Sequence, residues 1–125
     1  MIKGFFLPDA PDVPVFPLFV SWGESVISGY FILDTGSTGD LKVSPETAVE
    51  LGLEPLSVGK ITIANGQTVK VPVALAYALM EGVRNPVSVV IEDGAQLAGI
   101  GLLTKFGYTA VVDCKNRTVE LTKTL

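Results

Sequence analysis

The sequence contains no histidine. That removes Ser-His-Asp and Cys-His catalysis and histidine-based zinc sites together. Cysteine is nearly absent too: Cys114 stands alone, so no intrachain disulfide can close and no Cys-x-x-Cys exists for metal or redox work. Charged residues make up only 18%, nine Lys and Arg against thirteen Asp and Glu, for a formal net charge of -4. They are scattered singly. Without a basic run to meet phosphates, nucleic acid is disfavoured as the main partner. No stretch approaches the roughly 20 apolar residues of a membrane helix, so no membrane partner is expected. The apolar run at Met1 to Phe6 is cut off by Pro8, Asp9, Pro11 and Asp12, whereas a signal peptide needs about 7–15 unbroken apolar residues. A cytoplasmic location is expected. Any catalysis must come from carboxylates, hydroxyls, lysines or backbone, with no cofactor and no metal.

What is present suits one compact domain: 125 residues, 48% of them hydrophobic, enough to fill a core. Thirteen glycines and eight prolines separate short runs rich in Val and Ile, the punctuation of an all-β protein. Residues 1–14 read as an irregular, Pro-rich N-terminal arm, and residues 15–125 as the single domain. Strands are expected over 15–21, where Pro17 points to a sheet edge, and over 26–33, 41–43 and 87–91. A short apolar piece at Leu97-Ala98 ends at Gly99. Residues 81–86 read as a turn region. A closing hairpin joins 108–112 to 118–121 around Lys115-Asn116. The best helix signal is 45–51: Ser44 suits the N-cap, Pro45 the first helical position, Glu46 the positive end of the dipole, and Gly52 a left-handed stop. One or two further helical turns are expected over 102–106, stopped by Gly107.

Residues 61–73 read as a hairpin around Ala64-Asn65-Gly66. A two-residue Asn-Gly loop would set Ile63 opposite Thr68 and mix apolar with polar residues on both faces, which strict side-chain alternation penalises. A three-residue loop with Gly66 left-handed instead pairs Ile61 with Val69 and Thr62 with Thr68. One face then carries Ile61, Ile63, Val69 and Val71, with Val69 and Val71 assigned to the core. That face either lines an apolar cleft or packs on the core.

One segment carries chemistry: Tyr30-Phe31-Ile32-Leu33-Asp34-Thr35-Gly36-Ser37-Thr38-Gly39. An acid leaving a buried strand is costly unless compensated. The groups that follow, a hydroxyl, a glycine admitting close backbone amides, and two more hydroxyls, are those that hold a carboxylate. The plain alternative is an Asx-turn at a strand-to-loop corner.

Asp34-Thr35-Gly36-Ser37 after an apolar strand resembles the active-site loop of aspartic proteases. Leu97-Ala98-Gly99, followed by Ile100-Gly101-Leu102-Leu103, resembles the apolar–apolar–Gly element that packs beneath that loop. Between them, Ile63, Ala64, Asn65, Gly66 and Gln67 lie where single-lobe members carry the flap. The likeness runs over about residues 15–122 and is closest to the small bacterial and archaeal retropepsin-like proteins. It implies a closed acid-protease-like β-barrel of one lobe, and an aspartic endopeptidase acting on peptide or protein substrates. A chain with one Asp-Thr-Gly can supply two carboxylates only as a homodimer, through an isologous interface. The resemblance further implies that Thr35 bonds across the dimer, that the Gly36 N–H supports the Asp34 carboxylate, and that Ser37 is placed to donate to it. Two departures stand out. Ile100 occupies the position where retroviral enzymes carry an arginine, and Thr38-Gly39 lack its acidic partner.

Other candidates are weaker. Asp113 reads as a turn acid, Cys114 as an inert, partly buried thiol, and Trp22 as an interface or arm-packing residue. Glu92-Asp93 reads as a solvated turn rather than a metal site. Two other functions compete with the protease: a silent peptide-binding or dimerisation module of the same fold, and an unrelated small barrel for an apolar ligand.

Overall fold

A computed structural model describes all 125 residues. The strands are β1 (Ile2–Phe6), β2 (Pro14–Trp22), β3 (Ser25–Asp34), β4 (Leu41–Val43), β5 (Ser57–Thr62), β6 (Thr68–Met80), β7 (Val83–Ile91), β8 (Leu97–Gly99), β9 (Tyr108–Asp113) and β10 (Thr118–Lys123). Two short helices, α1 (Pro45–Leu51) and α2 (Ile100–Phe106), complete the chain. Strands β6-β7-β4-β8-β3-β2 run side by side, and β2 pairs back onto β6, so six strands close into a mixed barrel. Pairing is antiparallel except at β3–β8 and β4–β7, which are parallel. Outside this ring, β5 lies on β6, and β1, β10 and β9 continue from β2.

Strict alternation fills the barrel. Phe16, Leu18 and Val20 of β2 are buried while Pro17 and Phe19 face out. On β6 the buried residues are Val71, Ala74, Ala76, Ala78 and Met80. Three alanines along one strand leave room in a narrow interior for Phe16 and Phe31, both fully buried in the same cluster.

The helix caps match the sequence. Ser44 Oγ accepts from the Thr47 N–H at 3.2 Å, and Gly52 sits at φ 71°. α2 begins two residues before the expected 102 and ends at left-handed Gly107. The hairpin register is the one preferred above, with Ile61 opposite Val69 and Thr62 opposite Thr68, closed by Ile63 N–H to Gln67 O at 2.9 Å and with Gly66 at φ 84°.

Four expectations are corrected. Residues 1–14 are not an irregular arm throughout: β1 pairs with β10 over four residues and with β2 over two. Pro17 does not mark an edge, because β2 is paired on both flanks. On one flank Val15 meets β1 and Phe19 to Ser21 meet β6, and Pro17 falls in the interval between them, where no ladder donor is needed. The turn expected over 81–86 is only Glu81-Gly82, with φ 48° and 81°; Val83 to Pro86 already pair with β6. Val71 is core but Val69 is 36% exposed, since the hairpin overhangs the barrel. No helix is long and apolar enough to cross a membrane.

Candidate active site

Asp34 is the last residue of β3, side by side with Gly99 of β8. Its half-buried carboxylate accepts the Gly36 N–H at 3.0 Å, and its carbonyl accepts the Ser37 N–H at 3.1 Å, turning the chain sharply out of the strand. The loop is then clamped from below. Three successive amides donate to it: Gly99 N–H to Asp40 O at 3.0 Å, Ile100 N–H to Ser37 O at 2.8 Å and Gly101 N–H to Gly39 O at 3.0 Å. Backbones this close exclude side chains. A Cβ on Gly99 would lie 2.8 Å from Ser37 O, and one on Gly101 2.8 Å from Thr38 O. Ala98 is buried in the core, so Leu97-Ala98-Gly99 supports the loop through backbone.

Ser37 serves the site by its backbone; its hydroxyl makes no hydrogen bond to Asp34. Thr35 and Gly36 are exposed, as is Ile100 at the start of α2 (39%).

A cleft of about 290 Å³ opens beside Asp34 and Ser37, bounded by Lys42 of β4, Ile61 and Thr62 of β5, and Glu92 after β7. The hairpin root therefore reaches the site. Its tip, Ile63 to Gln67, does not line the cleft; it is exposed and held by its own bonds, among them Gln67 N–H to Asn65 Oδ1 at 2.9 Å. Of the cleft's thirteen lining residues four are hydrophobic, Ile61 among them. Of the pair Glu92-Asp93, Asp93 is exposed in the bend after β7, whereas Glu92 is half-buried, its carboxylate 3.7 Å from Lys42 Nζ.

Asp40 is buried, and its Oδ2 accepts Lys105 Nζ at 2.5 Å, Ser88 N–H at 3.0 Å and Ser88 Oγ–H at 3.3 Å. One carboxylate thus ties the loop to β7 and to the last turn of α2. Asp40, Ser88 and Lys105 escaped sequence reasoning, as did Lys42. The available signal for Asp40 was its place directly before the buried–polar–buried strand β4.

Of the weaker candidates, Asp113 does act as a turn acid, accepting the backbone N–H groups of Lys115 and Asn116 at 3.1 and 2.9 Å. Those bonds, the Asn116 backbone first and its side chain next, hold the Asp113 carboxyl below its ordinary value. Cys114 is exposed rather than partly buried. Trp22 stacks on Tyr77 at 6.0 Å and packs against the core.

A closed six-stranded barrel with Asp-Thr-Gly at the end of β3 and an apolar–apolar–Gly strand beneath it defines the single-lobe, retropepsin-like fold. The chain is similar to the crystal structure of a retropepsin-like aspartic protease from Rickettsia conorii, with a TM-score of 0.61 over 97% of this chain and 88% of that one. Sequence identity is 16%, so the likeness is one of fold. No protein-family model matches the sequence, and no curated protein does.

Proposed function

We propose that the protein is a homodimeric aspartic endopeptidase in which Asp34 of each subunit forms the catalytic pair. The observation that carries this reading is the clamped Asp34-Thr35-Gly36 loop, which holds a half-buried carboxylate at the mouth of a cleft while its flank stays exposed. One carboxylate cannot be base and acid in the same step. Two, brought together on a two-fold axis, can.

Two adjacent carboxylates share one proton, because like charges in contact do not both ionise cheaply. The ionised member takes a proton from a bound water, whose oxygen attacks the peptide carbonyl carbon. The protonated member donates to the carbonyl oxygen. Collapse of the tetrahedral diol breaks the C–N bond, the nitrogen leaves with a proton from the dyad, and no covalent enzyme intermediate forms. Thr35 would bond to the partner's loop, and the Gly36 N–H would keep each carboxylate in place. Exposed Ile100 would meet its equivalent at the interface, where an aliphatic contact replaces the retroviral ion pair. The hairpin from Ile63 to Gln67 would close over an extended peptide and exclude water. A lone exposed thiol suits a reducing, cytoplasmic setting.

Asp34→Asn should abolish peptide hydrolysis while sedimentation still gives a dimer. Retained hydrolysis in that variant, or a wild-type protein that stays monomeric at high concentration, overturns the reading.

A further inference from the structure

Lys42 and Glu92 are 50 positions apart in sequence, yet the parallel pairing of β4 with β7 brings them together. Lys42 stands beside Val90 in the ladder, and the Glu92 N–H donates to Val43 O at 3.0 Å. Lys42 lies between buried Leu41 and Val43, so alternation turns it away from the core and into the cleft. The two charged groups are 3.7 Å apart, beyond hydrogen-bond distance, and neither makes a hydrogen bond to anything else in the chain. Their side chains are only 20% and 31% exposed. Lys42 and Glu92 thus form a loose, partly desolvated ion pair in the wall of the site, with the hydrogen-bonding capacity of both groups left open.

We propose that Lys42 and Glu92 form a substrate subsite selective for a primary carboxamide, a glutamine or asparagine side chain close to the scissile bond. The inference rests on the protease reading and adds its substrate class. A carboxamide accepts from Lys42 Nζ with its oxygen and donates to Glu92 with its NH2, so from the cleft side it bridges the two groups and bonds to both. A substrate carboxylate would be drawn to Lys42 and repelled by Glu92, and a substrate cation the reverse. A leucine would strip the remaining water from both groups and offer no bond in return. Sites built around buried polar groups discriminate most strongly against ligands that leave them unpaired.

Cleavage of a proteome-derived peptide library, with residue frequencies around each cut read by mass spectrometry, tests this. One position near the cut should be enriched in Gln and Asn by about threefold to tenfold. In Lys42→Met the same position should turn to Lys and Arg, and in Glu92→Gln to Asp and Glu. In parallel, random peptides are affinity-selected on the Asp34→Asn protein, which reads the subsite without chemistry. Carboxamide enrichment in that selection with no cleavage by the wild type sinks the protease reading and leaves the subsite standing. Cleavage with only hydrophobic preferences, or with a profile that neither substitution moves, overturns the subsite and leaves the protease. Loss of both enrichment and cleavage overturns both.

Discussion

Asp40 accepts three donors on one carboxylate oxygen in a buried position, and only one of the three is a cation. Removing that cation strands a charge, whereas removing the acid frees Lys105, whose side chain is 45% exposed, to turn to water. Lys105→Met should therefore destabilise the fold by about 1–3 kcal/mol, more than Asp40→Asn, and adding Asp40→Asn to Lys105→Met should recover part of the loss. Urea unfolding of the two single variants and the double variant checks this. Titration belongs to this scale as well. Asp113 is held below its ordinary value by the turn that follows it, and Glu81 by the Met1 amine and then by the Tyr108 hydroxyl. Depressed carboxyls stabilise the fold above their unfolded value and lose that contribution as pH falls through the folded one. Thermal stability should drop as the pH is taken below about 4, less steeply in Asp113→Ala. Tyr108 works at the other end. Burial and then the bond to Glu81 push its hydroxyl up, so its contribution is present below about pH 10 and fades above it, as the unfolded chain ionises first. Tyr108→Phe should lessen the alkaline fall.

Among elements, the three-amide clamp under the Asp34 loop and the strand β3 above it use glycine differently. At Gly101 a side chain would collide with Thr38 O and the Gly39 carbonyl carbon, at 2.8 and 2.9 Å. At Gly29 nothing lies within 4 Å of an added Cβ, and φ is not positive. Gly101→Ala should cost about 1–3 kcal/mol and loosen the loop. Gly29→Ala should be neutral or stabilising by up to about 1 kcal/mol, and differential scanning calorimetry of the two variants separates them. The elements legible in sequence were those whose signals are local. Ser44, Pro45 and Gly52 bracket α1, and side-chain alternation plus one left-handed glycine gave the 61–69 register. β1 was not legible, because Ile2 to Phe5 gain their main partners from residues 118–121, more than a hundred positions away, and no local pattern records that. Pro17 misled for a related reason: its strand changes neighbours along one flank, which local sequence does not encode. The Asp34 loop was legible as a motif, whereas the Lys42–Glu92 wall depends on a parallel pairing of distant strands and was not.

For the molecule as a whole, the six-stranded ring closes on one face what a second copy is proposed to complete on another. Ile100 is 39% exposed at the point where the loop meets α2, and an aliphatic side chain there gains from burial against its equivalent. Ile100→Asp should shift sedimentation to monomer and abolish hydrolysis while the circular dichroism of the barrel is retained. A variant that stays dimeric and active would place the interface elsewhere. Dilution should act in the same direction, with specific activity falling as the wild type dissociates.

The hairpin carrying β5 is anchored to the barrel on one side only, through β6, and most of Ser57 to Thr68 is open to solvent. An extended, one-sided strand is also the form in which chains are most readily cut. Trypsin in limited amounts should nick the folded protein first at Lys60 or Lys70. Concentrated stocks of an active enzyme should accumulate fragments ending within the same hairpin, and Asp34→Asn stocks should not, so the storage life of the protein becomes a record of its own catalysis.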